Sequence, residues 1–295
     1  MNETSAKLCR VVCALLLLGA GGSCARQKKS PHAATRSHVA PDKKEIGIPV
    51  LEYHGIVDTD EELDRVISLN NPKDTNRNAL WILTSSFQKQ MQWLKSKGYQ
   101  TISPDDLLAW MDGGNLRVKH PVLITFDDGY KNEQTEGADY LKTLGYVGTF
   151  FVSTAVIDHD NSPGRHMTWG DLAAMQDDGM SIHSHTVSHC PLLTKCGNTD
   201  KKLDVELQNS EDRIQKKLGG GHRHFCYPGG ENNANVREHV KKANYDLAFV
   251  GGDTCARQDS DRTGVPRLTI NSIKMTPEQE FLRFKKLMLR CVPPK

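Results

Sequence analysis

Pro121-Val122-Leu123-Ile124-Thr125-Phe126-Asp127-Asp128-Gly129-Tyr130 is the stretch on which the reading of the chain turns. Three consecutive apolar residues and a fourth at Phe126 lead into two adjacent acids and a glycine. That is the pattern of a buried strand whose C-terminal end opens into a turn carrying paired carboxylates. In α/β enzymes this end of a strand is where the chemistry is placed. Adjacent acids on an extended chain point to opposite sides, so one can hold a metal ion while the other faces what the metal activates. Taken alone, Asp-Asp-Gly reads more readily as a solvated turn. The rest of the chain has to decide.

Working outward, strand and helix patterns alternate. Residues 49–54 form a short strand pattern ending in His54, and the long polar stretch 57–79 reads as a surface loop. Ser85 or Ser86 can cap a helix whose apolar residues Phe87, Met91 and Leu94 are spaced four and three apart, with Gly98 as its stop. Residues 99–102 read as a strand, and Ser103-Pro104 starts a helix in the cap-then-proline order. Beyond the acid-bearing strand come a helix stopped by Gly145, a strand over 147–152, and a helix opened by the capping pattern Thr168-Trp169-Gly170-Asp171. A short strand at 180–182 is followed by a helix over 199–218, a strand at 223–227 and a helix at 233–243. Strands at 247–250 and 265–270 precede a last helix capped by Thr276-Pro277. This alternation, without internal repeat, means a mostly parallel sheet with crossover helices, and the number of units suits a closed or nearly closed barrel.

The 295 residues are enough for one domain with appendages, and a net charge of +2 gives no indication of a nucleic-acid partner. Lys7 and Arg10 precede an apolar run over 11–20, followed by Gly21, Gly22, Ser23 and Cys24. The run is too short for a permanent membrane span and has the order of a secretory signal peptide, so residues 1–24 are expected to be a leader and the chain to be exported. The small residues before Cys24 resemble a bacterial lipoprotein processing site, with Gly21 standing where a branched apolar residue is usual. Lipid at Cys24 would be the sole membrane contact; ordinary cleavage nearby, giving a soluble secreted protein, is the alternative. Residues 25–48 are basic and polar, with Pro31 and Pro41, and read as a flexible tether to a domain over 49–295. Beyond Cys24 there are Cys190, Cys196, Cys226, Cys255 and Cys291, an odd number. Cys190 and Cys196 are close enough for a local disulfide and Cys255 with Cys291 is a second option; the sequence leaves the pairing open. No spacing among them matches a four-cysteine zinc site.

His183-Ser184-His185-Thr186-Val187-Ser188-His189 follows a strand and holds three histidines. His185 and His189 are four apart, so on a helical turn they face the same way and can grip one ion. With Asp128 they make a two-histidine, one-carboxylate set, a donor set that suits zinc, cobalt, nickel or iron. His183 lies outside that spacing and reads as a supporting or surface residue.

Thr125-Phe126-Asp127-Asp128-Gly129 together with His185-Thr186-Val187-Ser188-His189 resembles the first two motifs of the polysaccharide deacetylases, the NodB-like carbohydrate esterases. The resemblance runs from about Pro49 to the last helix. It implies a distorted, partly open (β/α) barrel of about seven parallel strands, Asp127 as catalytic base, and Asp128, His185 and His189 as ligands of a divalent metal, usually zinc. The family's third motif, Arg-Pro-Pro-Tyr-Gly, corresponds to Cys226-Tyr227-Pro228-Gly229-Gly230, so its arginine is absent. The backbone N–H of Gly229 can still serve an oxyanion, and Arg267 is the candidate to orient Asp127 from another strand. The C-terminal Leu-any-His motif is missing as well. Tyr53-His54 instead resembles the permuted arrangement of deacetylases acting on exported poly-N-acetylglucosamine, which makes His54 the candidate general acid. The resemblance thus implies hydrolysis of N-acetyl groups from an N-acetylglucosamine-containing polysaccharide, poly-N-acetylglucosamine or peptidoglycan, with release of acetate. An O-acetyl esterase and a catalytically silent glycan-binding surface lipoprotein are the alternatives.

Overall fold

The structure is a computed structural model that describes residues 47–70, 80–158, 166–196, 199–221, 223–272 and 275–291, without the side chains of 67–70. In chain order the elements are β1 (Val50–Tyr53), β2 (Ile56–Val57), α1 (Asp60–Asn70), β3 (Ile82–Leu83), α2 (Thr84–Ser96), β4 (Gln100–Thr101), α3 (Pro104–Met111) and β5 (Pro121–Asp128). A π-helical segment, Glu133–Ala138, runs into α4 (Asp139–Thr143), followed by β6 (Thr149–Val152), α5 (Trp169–Asp177), β7 (Ser181–Ser184) and α6 (Asp200–Leu218). The chain continues with β8 (His224–Cys226), α7 (Ala234–Lys242), β9 (Leu247–Val250), β10 (Val265–Pro266), β11 (Leu268–Thr269) and α8 (Pro277–Met288). The leader and tether expected over 1–48 lie outside the described residues, apart from Gly47 and Ile48.

Among the described residues, nine strands form one parallel sheet in the order β10-β9-β8-β7-β6-β5-β1-β11, with β4 added beside β5, while β2 and β3 pair separately. Its two edges are neighbours in sequence. Val265 pairs with Phe249 on one edge and Leu268 with Leu51 on the other, so residues 265–269 join the edges and nearly close the barrel, with Arg267 at the seam. Counted as one strand, that segment gives the expected seven; split at Arg267 it gives eight along the sheet.

Alternation along the strands sorts the side chains. Leu51, Tyr53, Ile124, Phe126, Phe150 and Val152 pack outward against Phe87, Met91 and Leu94 of α2, Leu141 of α4 and Phe284 of α8. The opposite faces, with Val50, Leu123, Phe151, Phe249 and Val265, close on Leu107, Trp110 and Met111 of α3, which plug the N-terminal end of the barrel. Farther along the same faces, toward the C-terminal ends, the apolar residues give way to Glu52, His54, Thr125, Asp127 and Arg267, all buried. That change of chemistry along one register locates the site.

Three expectations are corrected. Helix α2 is not capped by Ser85 or Ser86: it begins at Thr84, Leu83 holds the N-cap position without a side-chain bond, and Ser86 lies inside the helix, donating to Glu280 Oε2 at 2.6 Å. The polar stretch after Val57 is not wholly a loop, because α1 occupies Asp60–Asn70. Glu62 N donates to Thr59 Oγ1 at 3.1 Å, three acids fill the first turn, and Leu63 is buried against Val57. One small apolar contact, with a cap and a favourable charge at the helix N-terminus, is a weak periodic signal. Asn71 and Pro72 lie outside the described residues. Downstream of Gly129 the expected α-helix begins as a π-helical segment and becomes α-helical only at Asp139. The capping patterns read from the sequence at Ser103, Thr168 and Thr276 are formed in full, each with its reciprocal side-chain bond from the third residue of the helix.

Candidate active site

β5 delivers both acids. Asp127 is inward and 2% exposed, while Asp128 is partly exposed and adopts φ 90, followed by Gly129 at φ 86. This left-handed kink turns the Asp128 carboxylate out of the strand toward the loop after β7. Thr186 (φ 69) and His189 (φ 55) in that loop share the uncommon conformation. Its geometry is fixed from α6: Glu206 Oε2 accepts from Val187 N at 3.0 Å and Ser188 N at 2.9 Å, Glu206 Oε1 accepts from Ser188 Oγ at 2.7 Å, and Ser210 Oγ donates to Thr186 O at 3.0 Å. A Cys190–Cys196 disulfide closes the next turn.

Asp128, His185 and His189 converge. Asp128 Oδ1 lies 2.9 Å from His189 Nε2 and 3.5 Å from His185 Nε2, yet among the described residues this buried oxygen has no partner with hydrogen-bond geometry. His185 Nδ1 is 2.8 Å from the carbonyl oxygen of Cys226. A carbonyl only accepts, so Nδ1 carries the proton and Nε2 presents a lone pair to the cluster. An unsatisfied carboxylate oxygen facing imidazole nitrogens is the donor set a divalent cation completes, and the residues fit the implied metal. Burial works to raise the Asp128 pKa, but contacts with His185 and His189 hold it well below the ordinary carboxylate range.

Asp127 is clamped from across the barrel. Arg267, 1% exposed, donates through NH1 to Oδ1 at 2.8 Å and through NH2 to Oδ2 at 2.7 Å, a two-pronged pair, while NH1 also donates to Thr125 Oγ1 at 3.0 Å. Burial would raise the Asp127 pKa; the Arg267 guanidinium outweighs it and brings the value down to about 2. Cys226, where the family motif would have arginine, is a buried thiol that donates to Asp127 Oδ2 at 3.3 Å, and burial keeps its pKa well above the usual thiol value. A positive charge is thus supplied to Asp127 from β10–β11 instead of from β8.

His54, at the C-terminal end of β1, places Nε2 3.9 Å from Asp127 Oδ2, and its buried Nδ1 has no hydrogen-bond partner among the described residues. Gly229 (φ 62) and Gly230 (φ 69) form the turn after β8. His54, Asp127, Asp128, His185, His189, Gly229 and Gly230 line one cleft of about 430 Å³ with Glu52, Leu80, Tyr227, Gly251 and Thr269. Every site residue read from the sequence is brought to this cleft, with Arg267 immediately beneath. His183 is not: it packs against His224, ring centroids 4.7 Å apart, and lines a separate pocket with Ser103 and Glu211. Sequence reading missed Glu52, although strand alternation puts it on the same face as His54. It also missed Glu206, for which no local signal exists, and assigned no role to Cys226, although it stands at the position of the motif's arginine.

Residues 115–248 match the family model described as polysaccharide deacetylase. The chain is 26% identical over 229 residues to the putative polysaccharide deacetylase YxkH of Bacillus subtilis, covering 78% of this chain and 73% of that protein. It is 23% identical over 242 residues to the poly-beta-1,6-N-acetyl-D-glucosamine N-deacetylase of Escherichia coli, covering 69% of this chain but only 36% of that protein. Among solved structures, the fold is shared with the Streptococcus pyogenes deacetylase PplD in complex with acetate, at TM-score 0.68 and 24% identity, covering 81% of this chain and 98% of that one. Over residues 115–248 the chain is thus similar to the polysaccharide deacetylases.

Proposed function

We propose that the protein is a metal-dependent hydrolase that removes N-acetyl groups from an N-acetylglucosamine-containing polysaccharide, poly-N-acetylglucosamine or peptidoglycan, releasing acetate. The observation that carries this reading is the juxtaposition in one cleft of the Asp128, His185 and His189 cluster, the Arg267-clamped Asp127, and His54. The likeness to an N-deacetylase of poly-beta-1,6-N-acetyl-D-glucosamine supports the amide over the ester as the bond attacked.

Asp128, His185 and His189 would hold the metal, zinc first, with cobalt, nickel and iron also suited to these donors. Such an ion supplies a Lewis acid for the acetyl carbonyl and lowers the pKa of water. Asp127, kept ionised by Arg267, accepts the proton of the attacking water. Gly229 lines the cleft, and its backbone N–H is the candidate donor to the oxyanion. His54, whose Nε2 lies 3.9 Å from Asp127 Oδ2, donates a proton to the departing amine. The polysaccharide is the partner this cleft needs, and export to the cell envelope or beyond is the location that gives access to it. The Cys190–Cys196 and Cys255–Cys291 disulfides support an oxidising compartment. The leader and the lipid site at Cys24 lie outside the described residues.

Substitution separates the roles. Asp127→Asn and His54→Ala are each expected to lower acetate release from N-acetylglucosamine oligomers by about a hundredfold or more while leaving zinc binding intact. Full activity in Asp127→Asn would remove it from the reaction.

A further inference from the structure

Glu52 is a buried acid in the catalytic cleft to which the reaction outlined above assigns nothing. It stands two residues before His54 on β1 and therefore on the same face. Register puts it in one row with Thr125 of β5 and Thr269 of β11. Thr269 Oγ1 donates to Glu52 Oε2 at 2.7 Å, and Arg267 NH2 lies 3.4 Å from Glu52 Oε1, so the carboxylate is fixed from two sides. The cleft above it is kept open by a missing side chain. A Cβ on Gly251 would come within 2.8 Å of Glu52 Oε2 and 3.2 Å of Oε1. Glu52, His54 and Asp127 each offer an atom within 4.8 Å of the others, so two carboxylates and an imidazole surround one small volume at the proposed proton donor.

Among the described residues, the two carboxylates share one guanidinium. Arg267 already serves Asp127 through both prongs, and Glu52 receives only its longer contact. Hydrolysis of an amide changes this. Water adds to the acetyl carbon, the C–N bond breaks, and the nitrogen keeps the electron pair and takes up protons. At neutral pH the balanced products are acetate and an ammonium group, with no net release of a proton. An ester gives acetate, a neutral alcohol and a proton. Only the amide reaction creates a cation beside His54.

We infer that Glu52 is the residue that binds the newly formed ammonium group of the deacetylated sugar, and so fits this cleft to amino-sugar products in preference to alcohol products. The inference rests on the deacetylase reading and adds the determinant of the bond and product class. A carboxylate held by a threonine hydroxyl keeps lone pairs for N–H donors, and a charge-assisted bond to an ammonium in a largely buried site is stronger than one to a neutral hydroxyl.

The test is calorimetric binding to the full chain of two probes: a glucosamine tetramer, at a pH where its amines are protonated, and the same tetramer N-acetylated. Glu52→Gln, which preserves volume, is expected to weaken the glucosamine tetramer about tenfold or more and to leave the N-acetylated tetramer unchanged. Thr269→Val, which frees the carboxylate without removing it, should show a smaller loss of the same selectivity. Equal weakening of both probes, no weakening of either, or no binding of the glucosamine tetramer by the wild type overturns the role. Acetate release by the wild type is measured separately. Selective binding without any release would sink the deacetylase reading and leave the Glu52 site standing.

Discussion

Asp127 and Asp128 are identical and adjacent, and their surroundings give them different chemistry. Strand geometry sends Asp127 inward, where Arg267 compensates its burial. The left-handed backbone at Asp128 and Gly129 sends the next carboxylate to the two imidazoles. Held near a pKa of about 2, Asp127 is ionised throughout the neutral range. The two-pronged geometry matters beyond the charge, because lysine presents a point charge without the planar fork. Arg267→Lys is therefore expected to keep Asp127 ionised but misaligned, lowering kcat on N-acetylglucosamine oligomers by about tenfold or more with little change in KM. Wild-type kcat in that variant would mean that orientation of Asp127 is not what Arg267 contributes.

At the scale of elements, α6 supports the metal loop. Glu206 accepts three hydrogen bonds from Val187 and Ser188, in the middle of the segment between His185 and His189. Groups that orient ligands commonly govern metal affinity by about 10- to 100-fold when removed. Glu206→Gln keeps the shape but replaces one acceptor oxygen with a donor; a zinc dissociation constant raised at least about tenfold is expected. An unchanged constant would show that the loop holds itself. One turn farther along α6, Glu211 is 1% exposed and its Oε2 has no hydrogen bond. Burial raises its pKa. An acid with a folded-state pKa above its unfolded value favours folding most below the unfolded value and loses that advantage as pH rises through the folded one. Glu211→Gln should thus melt higher than the wild type at neutral pH, by about 2–4 °C for each kcal/mol recovered, with the gap closing as the pH falls toward the ordinary glutamate value. A gap independent of pH would contradict this. The elements also show what local sequence can reveal. Helix starts at Ser103 and Thr276 were readable from the proline that follows each cap, and the start at Thr168 from Asp171 three residues on, because these signals are local. The α1 helix was not, since its burial rests on Leu63 meeting a distant β2 and β3 pair.

For the whole molecule, the barrel was legible from alternation; the metal set was legible from residue types close in sequence, although His185 and His189 meet through a loop with left-handed residues and not on the helical turn that their spacing suggested. What spacing could not give is what closure of the barrel creates. Residues 265–269 join the two sheet edges, and this join brings Arg267 to Asp127 across 140 residues of chain. Arg267 could be named beforehand only as a candidate, to replace the arginine missing from the third motif, because nothing near it in sequence distinguishes it from a surface arginine. Glu52 was hidden for a different reason: its strand is so short and so buried that one acid among apolar neighbours reads as noise until Thr269 and Gly251 are placed beside it. The same closure means that the proposed base, metal ligands and proton donor come from three separate strand ends and act only together. The direct test of that claim is acetate release from N-acetylglucosamine oligomers by the purified protein, measured before chelation, after it, and after zinc is restored. The account predicts activity that disappears with the chelator and returns with zinc. Acetate release that persists in the fully metal-free protein would contradict it.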